Sequence, residues 1–228
     1  MKKAIFFALV FLTLFTTTNA DNIIVPQIER HIYQNGVMVV YTYRFEDMLG
    51  VFHFRKGYCA GALYEGNKIV TACHIIHGSP KTYGNIKIQL WNEKTRKYDI
   101  LADPRAKILK FDIKKDLLLL EIKKGVAWET FKIAESLIMG EDLIFFGLNS
   151  FGMPRIRYIR AMIDEARMNM ILVEPIFWGD SGGPVCNNKG EIVAFITKIY
   201  SAFYNYQVYN PMLGGAIPLS ELKEFLHE

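Results

Sequence analysis

The chain has 228 residues, 51% of them hydrophobic and 14% aromatic, which is enough to bury a sizeable core and excludes a disordered or low-complexity protein. Its formal charge of +4 comes from 27 Lys and Arg against 23 Asp and Glu, with no Lys/Arg cluster, so neither nucleic acid nor an acidic membrane is indicated as a partner. None of the three cysteines (Cys59, Cys73, Cys186) has Cys-x-x-Cys spacing, which argues against a zinc site, and no metal or organic cofactor is implied.

Met1-Lys2-Lys3 is followed by an apolar run from Ala4 to Phe15 and then by Thr16-Thr17-Thr18-Asn19-Ala20. A basic start, a short apolar stretch and a small residue before the cut read as a secretory signal peptide over residues 1–20, with an uncleaved anchor as the alternative. The apolar run falls short of the roughly 20 residues that span a bilayer. The exported chain would be residues 21–228, periplasmic or secreted. It would be soluble, without stable membrane insertion and with disulfides permitted.

From Gly36 to about Lys123, β-branched and aromatic runs alternate with turn signals. Strands are expected at Val37–Tyr43, Gly50–Arg55, Gly61–Tyr64, Ile69–Ala72, Ile86–Trp91, Tyr98–Leu101, Ala106–Phe111 and Leu117–Ile122. Gly66-Asn67 and residues 92–97 read as hairpin loops. After a less regular stretch, a second series is expected at Asp142–Leu148, Ile156–Ile163, Met170–Glu174, Gly183–Cys186, Glu191–Tyr200, Tyr206–Tyr209 and Gly215–Ile217, with a turn at Asn187–Gly190. Leu219, Leu222 and Leu226 share one face of a terminal helix, with Ser220 as its expected cap. The pattern describes an all-β protein of two units, residues 21–125 and 126–228, the second closed by a short helix.

The most informative stretch is Trp178-Gly179-Asp180-Ser181-Gly182-Gly183-Pro184-Val185. Its glycines suit a tight loop that approaches another molecule closely. Such a loop can expose a serine Oγ beside two free backbone N–H groups, the pairing that acyl transfer requires. The competing reading is a plain Gly-rich turn. Upstream, Ile69-Val70-Thr71-Ala72-Cys73-His74-Ile75-Ile76 ends a strand on a histidine, whose unperturbed pKa near neutrality suits proton shuttling. His53 and His77 are its neighbours, read as structural or solvent-facing. Asp116 opens the apolar strand Leu117–Ile122 and can orient a histidine. Asp112 is its rival and also suits a turn.

These three motifs resemble the chymotrypsin/trypsin family of serine peptidases, and Cys59-Ala60-Gly61-Ala62-Leu63 resembles a further strand of that family. The order His74, Asp116, Ser181 is that of chymotrypsin and differs from the subtilisin and α/β-hydrolase orders. The resemblance implies two six-stranded antiparallel β-barrels with the site between them, His74 and Asp116 from one and Ser181 from the other. It implies hydrolysis of peptide bonds in a polypeptide substrate through an acyl-enzyme, with the Gly179 and Ser181 amides as the oxyanion hole. Residues 140–149 and Gly214-Gly215-Ala216-Ile217-Pro218 are similar to short bacterial members, including Deg-type proteases. Those enzymes usually carry Asn at the position of Asp180 and continue into a PDZ domain, for which residues 182–228 are too few.

The resemblance also marks departures. Ile23-Ile24-Val25-Pro26 lacks the two glycines of the N-terminus that activates animal trypsins, so Asp180, if buried, needs another partner. Arg155, Arg157 and Arg160 are the candidates. The family's bridge near the histidine would fall on Cys59 and Cys73, but here the second cysteine precedes the histidine. A Cys59–Cys73 disulfide and free thiols both stay open, and Cys186 is expected as a buried thiol. The base of the specificity pocket falls on Pro175, which implies cleavage after apolar or small residues; a one-residue shift would bring Glu174 there. Thr197, Lys198 and Ile199 would pair with substrate backbone, with Gly214 nearby. The alternatives are a non-catalytic binding protein on the same fold and a narrow processing or virulence protease.

Overall fold

The computed structural model describes residues 26–76, 86–92, 94–138, 140–149, 151–159, 161–164, 169–204 and 207–227. The expected signal peptide, His77 and Arg160 lie outside these residues. Two β units follow one another, preceded by helix α1 (residues 26–35) and closed by helix α2 (Leu219–His227). The first unit comprises β1 (Gly36–Glu46), β2 (Phe52–Tyr64), β3 (Lys68–Ala72), β4 (Lys87–Asn92), β5 (Lys97–Asp112) and β6 (Leu117–Ile122). These strands close into a barrel in the order β1-β2-β3-β6-β5-β4.

The second unit contains β7 (Leu143–Leu148), β8 (Pro154–Ile159), β9 (Ala161–Asp164), β10 (Asn169–Pro175), β11 (Pro184–Cys186), β12 (Ile192–Tyr204) and β13 (Gln207–Ile217). Their order is β8-β7-β11-β12-β13-β10-β9. The two ends of that order, β8 and β9, are consecutive pieces of chain separated by residue 160 alone. The run expected as one strand, Ile156–Ile163, therefore pairs with β7 through its first half and with β10 through its second. The two edge strands of this seven-stranded sheet are thus neighbours in the chain, the arrangement that a chymotrypsin-like second barrel requires.

Several expected strands merge. The last four residues of the expected Gly50–Arg55 and all of Gly61–Tyr64 are parts of β2, with Gly50 and Val51 in the turn before it, and Tyr98–Leu101 and Ala106–Phe111 are parts of β5. Turn-prone residues inside a strand do not end it when partners continue on one side. Glu65, Gly66 and Asn67 make the β2–β3 hairpin loop, with Glu65 and Gly66 at positive φ. Helix α1 follows from Pro26 at its first position, where a missing N–H costs nothing. Its Ile32 is fully buried, and Tyr33 meets Phe146 edge-on at 6.4 Å. The buried Asn35 ties the helix end to the linker through Glu129 O and Trp128 Nε1. In α2, Leu219, Leu222 and Phe225 are buried, with Leu226 partly so. That helix begins at Leu219, so Ser220 lies inside its first turn and does not cap it.

The core is continuous across the seam. Ala60, Ala62, Val70 and Leu117 of the first barrel pack in one cluster with Phe146, Leu148, Cys186 and Phe195 of the second. A close-packed shared core fixes the relative position of the two units, and the candidate site residues lie along this seam.

Candidate active site

The end of β3 and the start of β6 are register partners, Ala72 with Leu117. The residues just beyond each strand therefore meet. Cys73 N–H donates to Asp116 O at 3.0 Å, and His74 N–H to Asp116 Oδ1 at 2.6 Å. His74 Nδ1 lies 2.8 Å from Asp116 Oδ2. Both carboxylate oxygens are thus spent on one histidine. With Nδ1–H donating to the carboxylate, Nε2 is left as a proton acceptor. Residues 73–75 form a 3-10 turn in which Cys73 and Ile75 are buried, so the imidazole between them faces outward. Asp116 sits at φ +56, the left-handed region that aspartate tolerates better than most residues.

The rival acid has a different role. Asp112 Oδ1 accepts the Lys114 and Lys115 amides at 2.8 and 2.9 Å, closing its own turn. His53 is exposed on β2 and bonds Asp47 at 2.7 Å, away from this pair.

The serine loop is fixed by its backbone. Asp180 N–H donates to Phe177 O, Gly183 N–H to Asp180 O, and Gly182 N–H to Ile196 O at 2.6 Å. Gly179 turns at φ +100, and its carbonyl accepts Ala60 N–H of the first barrel at 2.9 Å. Among the described residues, the amides of Trp178, Gly179 and Ser181 in this loop have no backbone acceptor, and the last two flank Asp180. A Cβ on Gly182 would fall 2.5 Å from Ala60 O and 2.6 Å from Ala72 N. The loop therefore docks against the residue two positions before His74, which puts Ser181 beside the His74 turn. Among the described residues no hydrogen bond joins Ser181 Oγ to His74, a contact that often tightens only with substrate bound.

Asp180 is fully buried. Its Oδ2 accepts Arg155 Nη2 and Arg157 Nη2, each at 2.7 Å, and Phe177 N–H at 2.8 Å. The Phe177 ring lies 4.6 Å from the Arg155 guanidinium, and the Phe145 ring 4.6 Å from that of Arg157. Burial pushes the Asp180 carboxyl upward, while Arg157, the Phe177 amide and Arg155 pull it back. Three donors on one oxygen match the ionised form, which is the species we assign. The expected arginine partner is thus a pair.

The expected specificity residues fall on adjacent strands. Pro175 ends β10 opposite Leu213, and Gly214 of β13 lies between Leu172 and Ile199. Lys198 faces Gly215 in register, and the nearly buried Thr197 sits at the β12 irregularity before it. Strand β11 pairs with β12 only from Ile192 to Phe195, so beyond Ile196 that edge has no described partner strand. The side chains of Glu174, Pro175 and Lys198 lie outside the described residues. Two open grooves of about 590 Å³ contain none of His74, Asp116 or Ser181, so cavity size does not locate the site.

The alternative of a Cys59–Cys73 bridge is not realised: Cys59, Cys73 and Cys186 are free, buried thiols. Cys59 Sγ instead lies 3.3 Å from Thr71 Oγ1, which donates to Ala60 O at 2.7 Å. The first-barrel contacts of the serine loop, at Ala60, Thr71 and Tyr58, were not singled out from sequence. Small residues flanking Cys59 and Cys73 were the available signal.

A family model described as a trypsin-like peptidase domain matches residues 59–195. That span runs from β2 to β12 and takes in His74, Asp116 and Ser181. No curated protein matches the sequence.

Proposed function

The chain belongs to the trypsin-like peptidase domain family, and on that premise we propose that it is an exported serine endopeptidase using Ser181, His74 and Asp116. A serine-protease-type function follows from the family and the chymotrypsin-like two-barrel fold. The observation that carries the finer reading is the Asp116 carboxylate on His74 Nδ1, with the serine loop docked two residues away.

In this reading His74 Nε2 takes the Ser181 proton as Oγ attacks the peptide carbonyl. The tetrahedral oxyanion is held by the Gly179 and Ser181 amides, where losing one donor costs about 100–1,000-fold in turnover. His74 then protonates the leaving amine, and water enters by the reverse path to release the acyl group. Asp116 fixes the imidazole tautomer and stabilises the imidazolium. The β12 edge beyond Ile196, which has no partner strand among the described residues, suits an extended polypeptide, and Pro175 at the expected pocket base suits an apolar or small residue before the scissile bond.

Reaction with an organophosphonate probe tests the reading. The folded protein should label once, at Ser181, and Ser181→Ala should not label. A folded protein that takes no label would favour a non-catalytic binding module.

A further inference from the structure

The β1–β2 hairpin extends well past the barrel that anchors it. Strand β1 is flanked by β4 only from Val37 to Val40, and β2 by β3 only from Gly61 to Tyr64. The pairs from Tyr41–Gly57 out to Glu46–Phe52 therefore have no third strand on either side among the described residues. At about 3.4 Å per residue this arm is about 20 Å long. A two-stranded ribbon is marginal in water unless something covers it.

The arm ends in apolar side chains that face outward. Met48 is fully exposed, Leu49 is 88% exposed, and Val51, Phe52 and Phe54 are also exposed. The turn itself is well made. Asp47 Oδ1 accepts the Leu49 and Val51 amides at 2.9 Å, and its other oxygen meets His53 Nε2 at 2.7 Å. The tip thus satisfies its polar groups internally and presents its apolar ones.

Three cations stand behind the tip. Register partners share a face, so Arg44 and Phe54 lie on one face with Lys56, while Arg55 and Tyr43 lie on the other. Arg44 lies 4.1 Å over the Phe52 ring. Cations on both faces, set back from the exposed turn residues Met48, Leu49 and Val51, suit a medium that surrounds the tip. A protein partner would meet one face.

We propose that the Tyr41–Gly57 arm docks on the surface of an anionic lipid bilayer. Met48, Leu49, Val51 and Phe52 enter the boundary between headgroups and acyl chains, typically about 5–10 Å deep. Arg44, Arg55 and Lys56 then sit among the headgroups. Of the acids, Asp47 is taken up by the turn and His53, and Glu46 limits the depth. The contact is peripheral, and no described helix is long and apolar enough to cross a membrane. The charge of the whole chain does not reveal it because the arrangement is local.

Flotation with vesicles of phosphatidylcholine and phosphatidylglycerol tests the docking. The protein should float with them, and the Met48→Asp/Leu49→Asp variant should partition about a hundredfold less. Arg55→Gln/Lys56→Gln should lose about fivefold per charge on these vesicles and little on pure phosphatidylcholine. Circular dichroism and phosphonate labelling of Ser181 should be unchanged in both variants. Failure of the protein to float, or equal flotation of the Asp variant, overturns the proposal. So does a concentration-dependent dimer, seen by sedimentation, that the Asp variant abolishes without any vesicle binding, since a second copy would then be the occupant.

Discussion

Arg155 and Arg157 bring their Nη2 atoms to the same oxygen of Asp180, each at 2.7 Å. Both arginines lie on β8, on the same side of the strand because side chains alternate. Strand β8 pairs with β7, whose Gly147 lies beneath Asp180; a Cβ there would collide with Oδ1. Removing both guanidiniums leaves an uncompensated buried carboxylate next to Ser181. Arg155→Met/Arg157→Met should lose about 3–5 kcal/mol of stability in urea unfolding, and each single variant less. The double variant should also label more slowly with the phosphonate, because the Gly179 turn follows the Asp180 anchor. Unchanged stability in the double variant would sink this role.

Asp116 presents a separable question, because it holds His74 while sitting at φ +56. Asp116→Asn keeps a residue tolerant of that conformation but offers an amide that can favour the wrong imidazole tautomer. It should lower kcat about 10,000-fold with stability nearly unchanged. Asp116→Ala should lose similar activity and also about 1 kcal/mol or more of stability, since alanine resists positive φ. Equal stabilities for the two variants would show that the backbone strain is not carried there.

These two residues show what the sequence made legible. Asp116 could be read because an acid before Leu117–Ile122 has one strand behind it, whereas Asp112 ends β5 and closes a turn. The arginine pair could be narrowed only to a segment. Which arginines of that segment turn inward depends on how β8 pairs with β7, a tertiary property that spacing alone does not give. Helix α1 was missed because Ile28, Ile32 and Tyr33 are too few apolar positions to announce a helix before a long strand. The arm was missed for a related reason. Alternating residues at 37–43 and 50–55 predict strands but do not say where their neighbours stop.

Gly182 tests how the barrels are joined. It has φ +76, and a Cβ there meets backbone at Ala60 and Ala72 that cannot move without disturbing β2 and β3. Gly182→Ala should cost about 3 kcal/mol or more through strain and overpacking. Phosphonate labelling should fall even under conditions where the protein stays folded. Gly66, also at positive φ but with open space around it, is the control, and Gly66→Ala should cost about 1 kcal/mol. Comparable losses at the two positions would mean that the close contact with the first barrel contributes nothing.

The thiols set an alkaline limit. Burial raises Cys59 to about 12, against a smaller opposing effect of Thr71, and raises Cys73 to about 11; burial also pushes Cys186 upward. A thiolate fraction this small at pH 8 leaves little nucleophile. The native protein should therefore resist a disulfide reagent for hours, while the denatured protein releases three thiols. A group with a raised folded pKa stabilises the fold fully below its unfolded value, 9.0 for these thiols, and that contribution is lost as pH rises through the folded value. Tyr64, raised to about 12 mainly by burial, acts in the same direction. Stability measured by urea unfolding should therefore fall progressively from about pH 9 to 12. A Cys59→Ala/Cys73→Ala variant should show a shallower fall over the same range. An identical slope in that variant would assign the alkaline loss to the tyrosines.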